Sequence, residues 1–252
     1  EIISVFGVGY DGMPLAACVE AKVKVTNTPD VLNDEVADTA VALTLMTCRQ
    51  FVGAHKFVEV GDWLKGQYPL THSLWGKTVG IIGLGRIGKG IAERLAAHKM
   101  SVAYFGRNKQ DVPYTYYGNL VEMAGDVDVL IAITPGGAAT KHLVNAAVLE
   151  ALGPTGFFIN VARGSVVDQD PLVKAIEAGT IAGAGLDVFE AEPKVPEALF
   201  NRRNVVLLPH VASATHETRQ AMADLAVENL ALHFAGKPVK TLVPELAGKV
   251  NP

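Results

Sequence analysis

Residues 79–108, VGIIGLGRIGKGIAERLAAHKMSVAYFGRN, constrain this chain more than any other stretch. An apolar strand runs into Gly83-Leu84-Gly85-Arg86-Ile87-Gly88, then an amphipathic helix, then a second apolar strand. That order of periodicities reads as a strand–turn–helix–strand unit, the context a glycine turn of this kind needs. Gly83 permits the tight turn, Gly85 lets backbone approach a ligand, and Gly88 lets the helix pack close to the sheet. The helix start presents unpaired N–H groups and the positive end of its dipole to an anion. The unit therefore reads as a dinucleotide pyrophosphate site.

The second strand, Ser101–Phe105, ends in Gly106-Arg107-Asn108. An NAD site ordinarily carries a carboxylate there for the ribose 2′-hydroxyl, whereas an arginine suits a 2′-phosphate. With Lys109 beside it, Arg107 favours NADP(H), with NAD(H) the second choice. The competing reading of Arg107 is a surface arginine in a βα loop.

The alternation of strands and helices continues downstream. Strands are expected at Asp128–Thr134, Gly156–Asn160, Ile181–Val188 and Asn204–Pro209, with helices at Ala146–Leu152, Pro171–Ala178 and Thr215–Ala235. Asp170 reads as the cap and Pro171 as the first position of the second of these helices. Ahead of the glycine turn, short strands at 1–6 and 23–27 flank a helix at 13–21. A long helical run then extends from Asn33, a plausible cap, to about Val60, followed by an irregular arm at 61–73. Near-continuous apolar strands alternating with helices imply an α/β fold, a doubly wound parallel sheet covered on both faces.

The chain has 252 residues, 49% of them hydrophobic and 19% charged, enough for one large domain or two small ones. Its net charge of −4 supplies no electrostatic reason to bind nucleic acid or an anionic membrane. Cys18 and Cys48 both sit in apolar, helix-like stretches, and no Cys/His spacing suggests a metal. No apolar run reaches membrane-spanning length and no signal peptide stands at the start, so the cytoplasm is the expected compartment.

Open α/β sheets bind ligands at the carboxyl ends of their strands. Those ends carry Thr134, Arg163, Asp187, Glu192 and His210. Nicotinamide chemistry needs a group for the substrate's anion or carbonyl and a proton donor for the developing alkoxide. Arg163 suits the first task and His210 the second, with Glu192 stabilising the imidazolium. Taken singly, each has a plainer reading: a salt-bridged loop arginine, a turn-forming Asp187, a solvated Glu192, a hydrogen-bonded strand-end histidine. The other histidines, His142 among them, read as surface or packing residues.

Six segments together resemble the D-isomer-specific 2-hydroxyacid dehydrogenases, with the NADP-dependent glyoxylate/hydroxypyruvate reductases nearest in character. They are Val8–Asp11, Thr26–Asp30, the Gly83–Gly88 turn, Asn160–Gly164, Leu186–Pro193 and Leu208–Thr215. The resemblance implies a Rossmann cofactor domain over 33–214, bearing a dimerisation helix and arm. It also implies a flavodoxin-like substrate domain from 1–32 and 215–252, with the active site between the two. It makes Arg163 the residue that orients the 2-oxo acid, His210 the general acid/base and Glu192 its partner. By the same resemblance Asp187 falls at the nicotinamide, while Thr134, Thr140, Val161, Ala162 and Ser213 line the cofactor and Arg86 and Ile87 stand at its phosphates. The backbone at Val8 and Gly9 receives the substrate carboxylate. A homodimer and a small 2-oxo or 2-hydroxy acid substrate are implied as well.

Members of that family carry more sequence ahead of the Val8-Gly9 motif, so the substrate domain is expected to be incomplete in the sequence as given, through omission of its N-terminal part. The alternative function is a dinucleotide-sensing, corepressor-like interaction protein, which uses the same fold.

Overall fold

In the computed structural model, which describes residues 1–250, the chain divides into two compact units. One comprises Glu1–Glu35 together with the chain from Ser213 onward, and the other is Val36–Ala212.

The first unit begins with β1 (Ile2–Ser4), α1 (Leu15–Glu20) and β2 (Lys24–Thr26). β1 and β2 pair in parallel. Cys18, Val25, Val243, Leu246 and Val250 form its small core.

α2 (Asn33–Cys48), most of which belongs to the second unit, is followed there by α3 (Phe51–Glu59). The single long run expected from Asn33 to Val60 is broken between these two helices. Gln50 takes a left-handed conformation, φ 50°, and the Cys48 carbonyl accepts the His72 amide at 3.1 Å, from the arm rather than the helix. Asn33 is not the cap either. It is the first helical residue, and its amide donates to Asp30 Oδ1 at 3.1 Å.

The large sheet is built from β3 (Thr78–Ile82), β4 (Ser101–Phe105), β5 (Thr115–Tyr117), β6 (Val129–Ala132), β7 (Phe157–Asn160), β8 (Gly183–Leu186) and β9 (Val205–Leu207). Its seven strands run in the order β5-β4-β3-β6-β7-β8-β9, and every pairing is parallel. The helices between them are α4 (Arg86–Ala97), α5 (Leu120–Asp126), α6 (Ala146–Leu152) and α7 (Gln169–Ala178). β6, β7 and β8 are buried at every position, as the continuous apolar runs require of a sheet covered on both faces. This is the expected doubly wound α/β architecture.

Residues 109–127 received no element from the sequence, yet β5 and α5 lie there. β5 is a three-residue edge strand, too short for periodicity to reveal. α5 did leave a signal: Asn119 accepts the Val121 and Glu122 amides, and Glu122 stands three residues on, as in a capping box. In α7 the capping position belongs to Asp168 rather than Asp170, and Pro171 is the third helical residue instead of the first. The last helix, α8 (His216–Phe234), returns to the first unit, and Thr215 caps it by accepting the Thr218 amide at 3.2 Å.

Candidate active site

Strand register places the chemistry. Phe105, Ile82, Ala132, Asn160, Leu186 and Leu207 are successive cross-strand partners, forming one line across the sheet at its carboxyl edge. Gly106, Gly83, Thr134, Arg163, Asp187 and His210 each follow that line by one to three residues. The strand order reverses at β3, between β4 and β6, so the glycine turn opens at the topological switch point of the sheet.

The turn fits a pyrophosphate. Gly83 has φ 101°, and a Cβ there would lie 3.0 Å from the Ile133 carbonyl oxygen. A Cβ on Gly88 would stand 2.2 Å from the Gly83 oxygen, so α4 can approach the turn only without one. In front of Gly85 the space is open. Gly85 occupies the N-cap, with Arg86 and Ile87 as the first residues of the 12-residue α4. The first-turn N–H groups of a helix lack intrahelical acceptors and point out of its start, which is what an anion requires.

A second loop is pinned to this turn. The phenol of the fully buried Tyr104 accepts the Gln110 amide at 2.6 Å, and Gln110 Nε2 donates to the Leu84 carbonyl at 2.9 Å. Tyr116 donates to the Gly106 carbonyl at 3.2 Å. Between those anchors Arg107, Asn108 and Lys109 are exposed, and among the described residues neither cation has an ion-pair partner. The roles of Gln110 and Tyr104 were not legible beforehand, because each depends on a partner from another segment.

After β7, the fully buried Asn160 shapes the turn that carries Arg163. Its Oδ1 accepts the Ala162 amide at 3.0 Å and its Nδ2 donates to the Arg163 carbonyl at 3.1 Å. Val161 and Ala162 are buried, and the half-buried Arg163 directs Nη1 to the Ala162 carbonyl at 2.8 Å. The next residue is Gly164, where a Cβ would lie 1.9 Å from the Phe189 carbonyl carbon. That contact locks the loop after β7 to the loop after β8. After β6, Thr134 is half-buried, and Thr140 donates to the Pro135 carbonyl at 2.7 Å.

Glu192 and His210 meet. Their closest atoms, Oε2 and Nδ1, are 2.8 Å apart, and Glu192 Oε1 accepts the Phe189 amide at 3.0 Å. Asp187 is 1% exposed and sits beneath them. It accepts the Val211 amide on Oδ1 at 2.8 Å and the Ala212 amide on Oδ2 at 3.0 Å. Its backbone carbonyl takes the His210 amide at 2.8 Å. Burial pushes its carboxyl above the ordinary range, against the pull of those two amides and of His210. Both carboxylate oxygens thus act on the backbone beside His210, which adopts a left-handed φ of 55°.

In the first unit, Val8 and Gly9 lie in the loop after β1. The Val8 carbonyl accepts Asn27 Nδ2 at 2.9 Å, and the Asn27 carbonyl accepts Thr241 Oγ1 at 2.6 Å. Thr241 in turn accepts from the buried Asn229 at 2.8 Å. The loop is therefore held by a continuous polar chain. Ser213, half-buried, starts the second segment of this unit. Among the described residues no group of three or more His, Cys, Asp or Glu could hold a metal, and no helix is long and apolar enough to cross a membrane.

A doubly wound sheet with a glycine turn at its switch point and a carboxylate–imidazole pair at its carboxyl edge defines a dinucleotide-dependent oxidoreductase. Residues 41–212 match the family described as D-isomer specific 2-hydroxyacid dehydrogenase, NAD binding domain, and this chain belongs to that family. It is 52% identical over 244 residues to hydroxyphenylpyruvate reductase of Plectranthus scutellarioides, covering 96% of this chain and 78% of the relative. A glyoxylate/hydroxypyruvate reductase of Arabidopsis thaliana is 49% identical with the same coverage of both chains. Among solved structures, the NADPH-dependent glyoxylate/hydroxypyruvate reductase of Sinorhizobium meliloti, in complex with NADP and malonate, matches with a TM-score of 0.94 and 53% identity. That match covers 97% of this chain and 78% of the other.

Proposed function

We propose that this chain reduces a small 2-oxo acid of the glyoxylate or hydroxypyruvate type to the D-2-hydroxy acid, with NADPH as the preferred cofactor and NADH as the second. The observation that carries the reading is the 2.8 Å His210–Glu192 pair on the strand edge that also bears Arg163 and the glycine turn. Bound at the turn, the nicotinamide cofactor supplies the hydride to the carbonyl carbon. Arg163 holds the substrate's carbonyl or carboxylate oxygens in its fork. His210, its Nδ1 engaged by Glu192, presents Nε2 and gives a proton to the developing alkoxide. Glu192 balances the charge of the imidazolium in the ground state. The backbone at Val8 and Gly9 receives the substrate carboxylate. Arg107 and Lys109 attract the 2′-phosphate, and Thr134, Thr140, Val161, Ala162 and Ser213 line the cofactor. Asp187 belongs beside the nicotinamide, where its fixed loop supports the position of His210.

The same reading includes a homodimer in the cytoplasm. Trp63, Leu64 and Leu70 in the arm and Trp75 just beyond it are 67%, 94%, 99% and 71% exposed, an apolar surface suited to a second copy of the chain. Both cysteines are free and buried, consistent with a reducing compartment. No observation favours the corepressor alternative.

The test is oxidation of NADPH followed at 340 nm with glyoxylate, hydroxypyruvate and hydroxyphenylpyruvate in turn. Turnover with at least one acid supports the assignment, and a folded, NADPH-binding protein inert toward all three rejects it. Light scattering on the same sample gives the mass that decides between monomer and dimer.

A further inference from the structure

We propose that His142 is a positioning residue for the proton-donating pair, an inference that rests on the reductase reading of the site. His142 lies between the loop after β6 and the rest of the carboxyl edge. Its Nε2 is 2.9 Å from Glu190 Oε1, and its Nδ1 is 3.9 Å from Asp168 Oδ2. Glu190 is two residues before Glu192. Asp168 stands at the N-cap position of α7, without a capping side-chain bond, at the end of the segment that begins with Arg163. One imidazole therefore spans three loops of the same edge.

The backbone agrees with that role. His142 has φ 51°, uncommon outside glycine, and its amide donates to the Ser165 carbonyl at 2.8 Å. Val144 and Asp168 extend the pairing: Val144 N donates to the Val166 carbonyl, and Asp168 N to the Val144 carbonyl. The backbone path thus fixes His142 to the Arg163 segment, and the side chain fixes that segment to Glu190. The Glu190 amide adds a bond to Gln169 Oε1 at 3.2 Å. Glu192 emerges from this clamped turn already aimed at His210. Without His142 the turn keeps its contact with Gly164 but loses its only side-chain tether on the β6 side among the described residues.

His142 touches neither His210 nor Glu192, so its effect must pass through the loop that carries Glu192. Small displacements of a proton donor have large kinetic consequences. The expected result for His142→Ala is a fall in kcat of about tenfold with the NADPH Kd unchanged within about twofold. His142→Gln, whose amide can still donate to Glu190, restores most of the loss. The double variant His142→Ala/Glu190→Ala is no worse than either single variant, because both remove one contact. Hydrogen exchange supplies a readout independent of turnover: amides of residues 188–192 exchange faster in His142→Ala, while β6 and β7 do not change. Unaltered exchange in 188–192, or additive losses in the double variant, overturns the inference. Should the wild-type protein fail to oxidise NADPH with any 2-oxo acid, the reductase reading falls, and the exchange measurement still decides whether His142 holds the Glu192 loop.

Discussion

Glu192 uses both oxygens of one carboxylate, Oε1 on the Phe189 amide at 3.0 Å and Oε2 on His210 Nδ1 at 2.8 Å. The first bond sets the direction of the side chain, and the second settles which ring nitrogen faces away. Both side chains remain partly exposed, at 35% and 48%, so the pair contributes little to stability. In the proposed function its consequence is catalytic geometry. His210→Ala should lower kcat for reduction by about 10²–10⁴-fold while leaving NADPH affinity intact. Glu192→Gln keeps a hydrogen-bonding partner without the charge and should fall between the two. Stopped-flow reduction and fluorescence titration of NADPH separate these effects, and loss of cofactor binding in His210→Ala would mark the histidine as structural.

Asp187 should behave as a structural carboxylate. An asparagine there can accept one of the Val211 and Ala212 amides but must turn an N–H toward the other. An orphaned buried donor costs about 1–3 kcal/mol. Asp187→Asn is therefore expected to lower the free energy of unfolding by that amount, bringing the denaturation midpoint down with it, and to lower kcat, since the same loop carries His210. A midpoint within error of wild type contradicts this account.

In the proposed function, cofactor choice rests on the loop between Tyr104 and Gln110. Arg107→Asp replaces a cation with the carboxylate that suits a ribose 2′-hydroxyl. The ratio of kcat/KM for NADPH over NADH should fall about tenfold or more, corresponding to about 1.4 kcal/mol of lost charge-assisted binding. An unchanged ratio removes Arg107 from the specificity site and leaves Lys109 as the next residue to test.

Acid sensitivity has a separate origin at the opposite end of β3. Burial raises the Asp128 carboxyl, but Lys77 Nζ at 2.8 Å and the Thr78 amide at 2.9 Å outweigh it and leave it below the ordinary range. A depressed folded value means the contribution is complete above the ordinary carboxylate range and disappears as pH falls through the folded value. With both side chains about a third exposed, the contribution is about 0.2–1 kcal/mol. Melting temperatures of wild type and Asp128→Asn should differ at neutral pH and converge in acid. A constant difference across the range would show that the charge is not responsible.

The fold was legible wherever local chemistry decides alone. Ser101–Phe105 and Ala146–Leu152 lie where their patterns predict, and Gly83 and Gly88 occupy positions that exclude a side chain. Such features depend on neighbouring residues, sterics and periodicity, all of which are written in order along the chain. Arg163, Glu192 and His210 were legible as strand-end residues for the same reason.

What tertiary structure alone decided involves partners distant in sequence. The helical pattern running from Asn33 contains no strong breaker at Gln50, and the break coincides with the His72 amide arriving from the arm. The Asp187 carboxylate could be directed to the Val211–Ala212 turn only once β8 and β9 lay side by side. His142 looked like one more surface histidine until three loops met around it. Periodicity and glycine placement are properties of adjacent residues, and the sequence by itself determines them. A hydrogen bond across 24 or 48 residues exists only after the sheet has set its register, so the fold decides those.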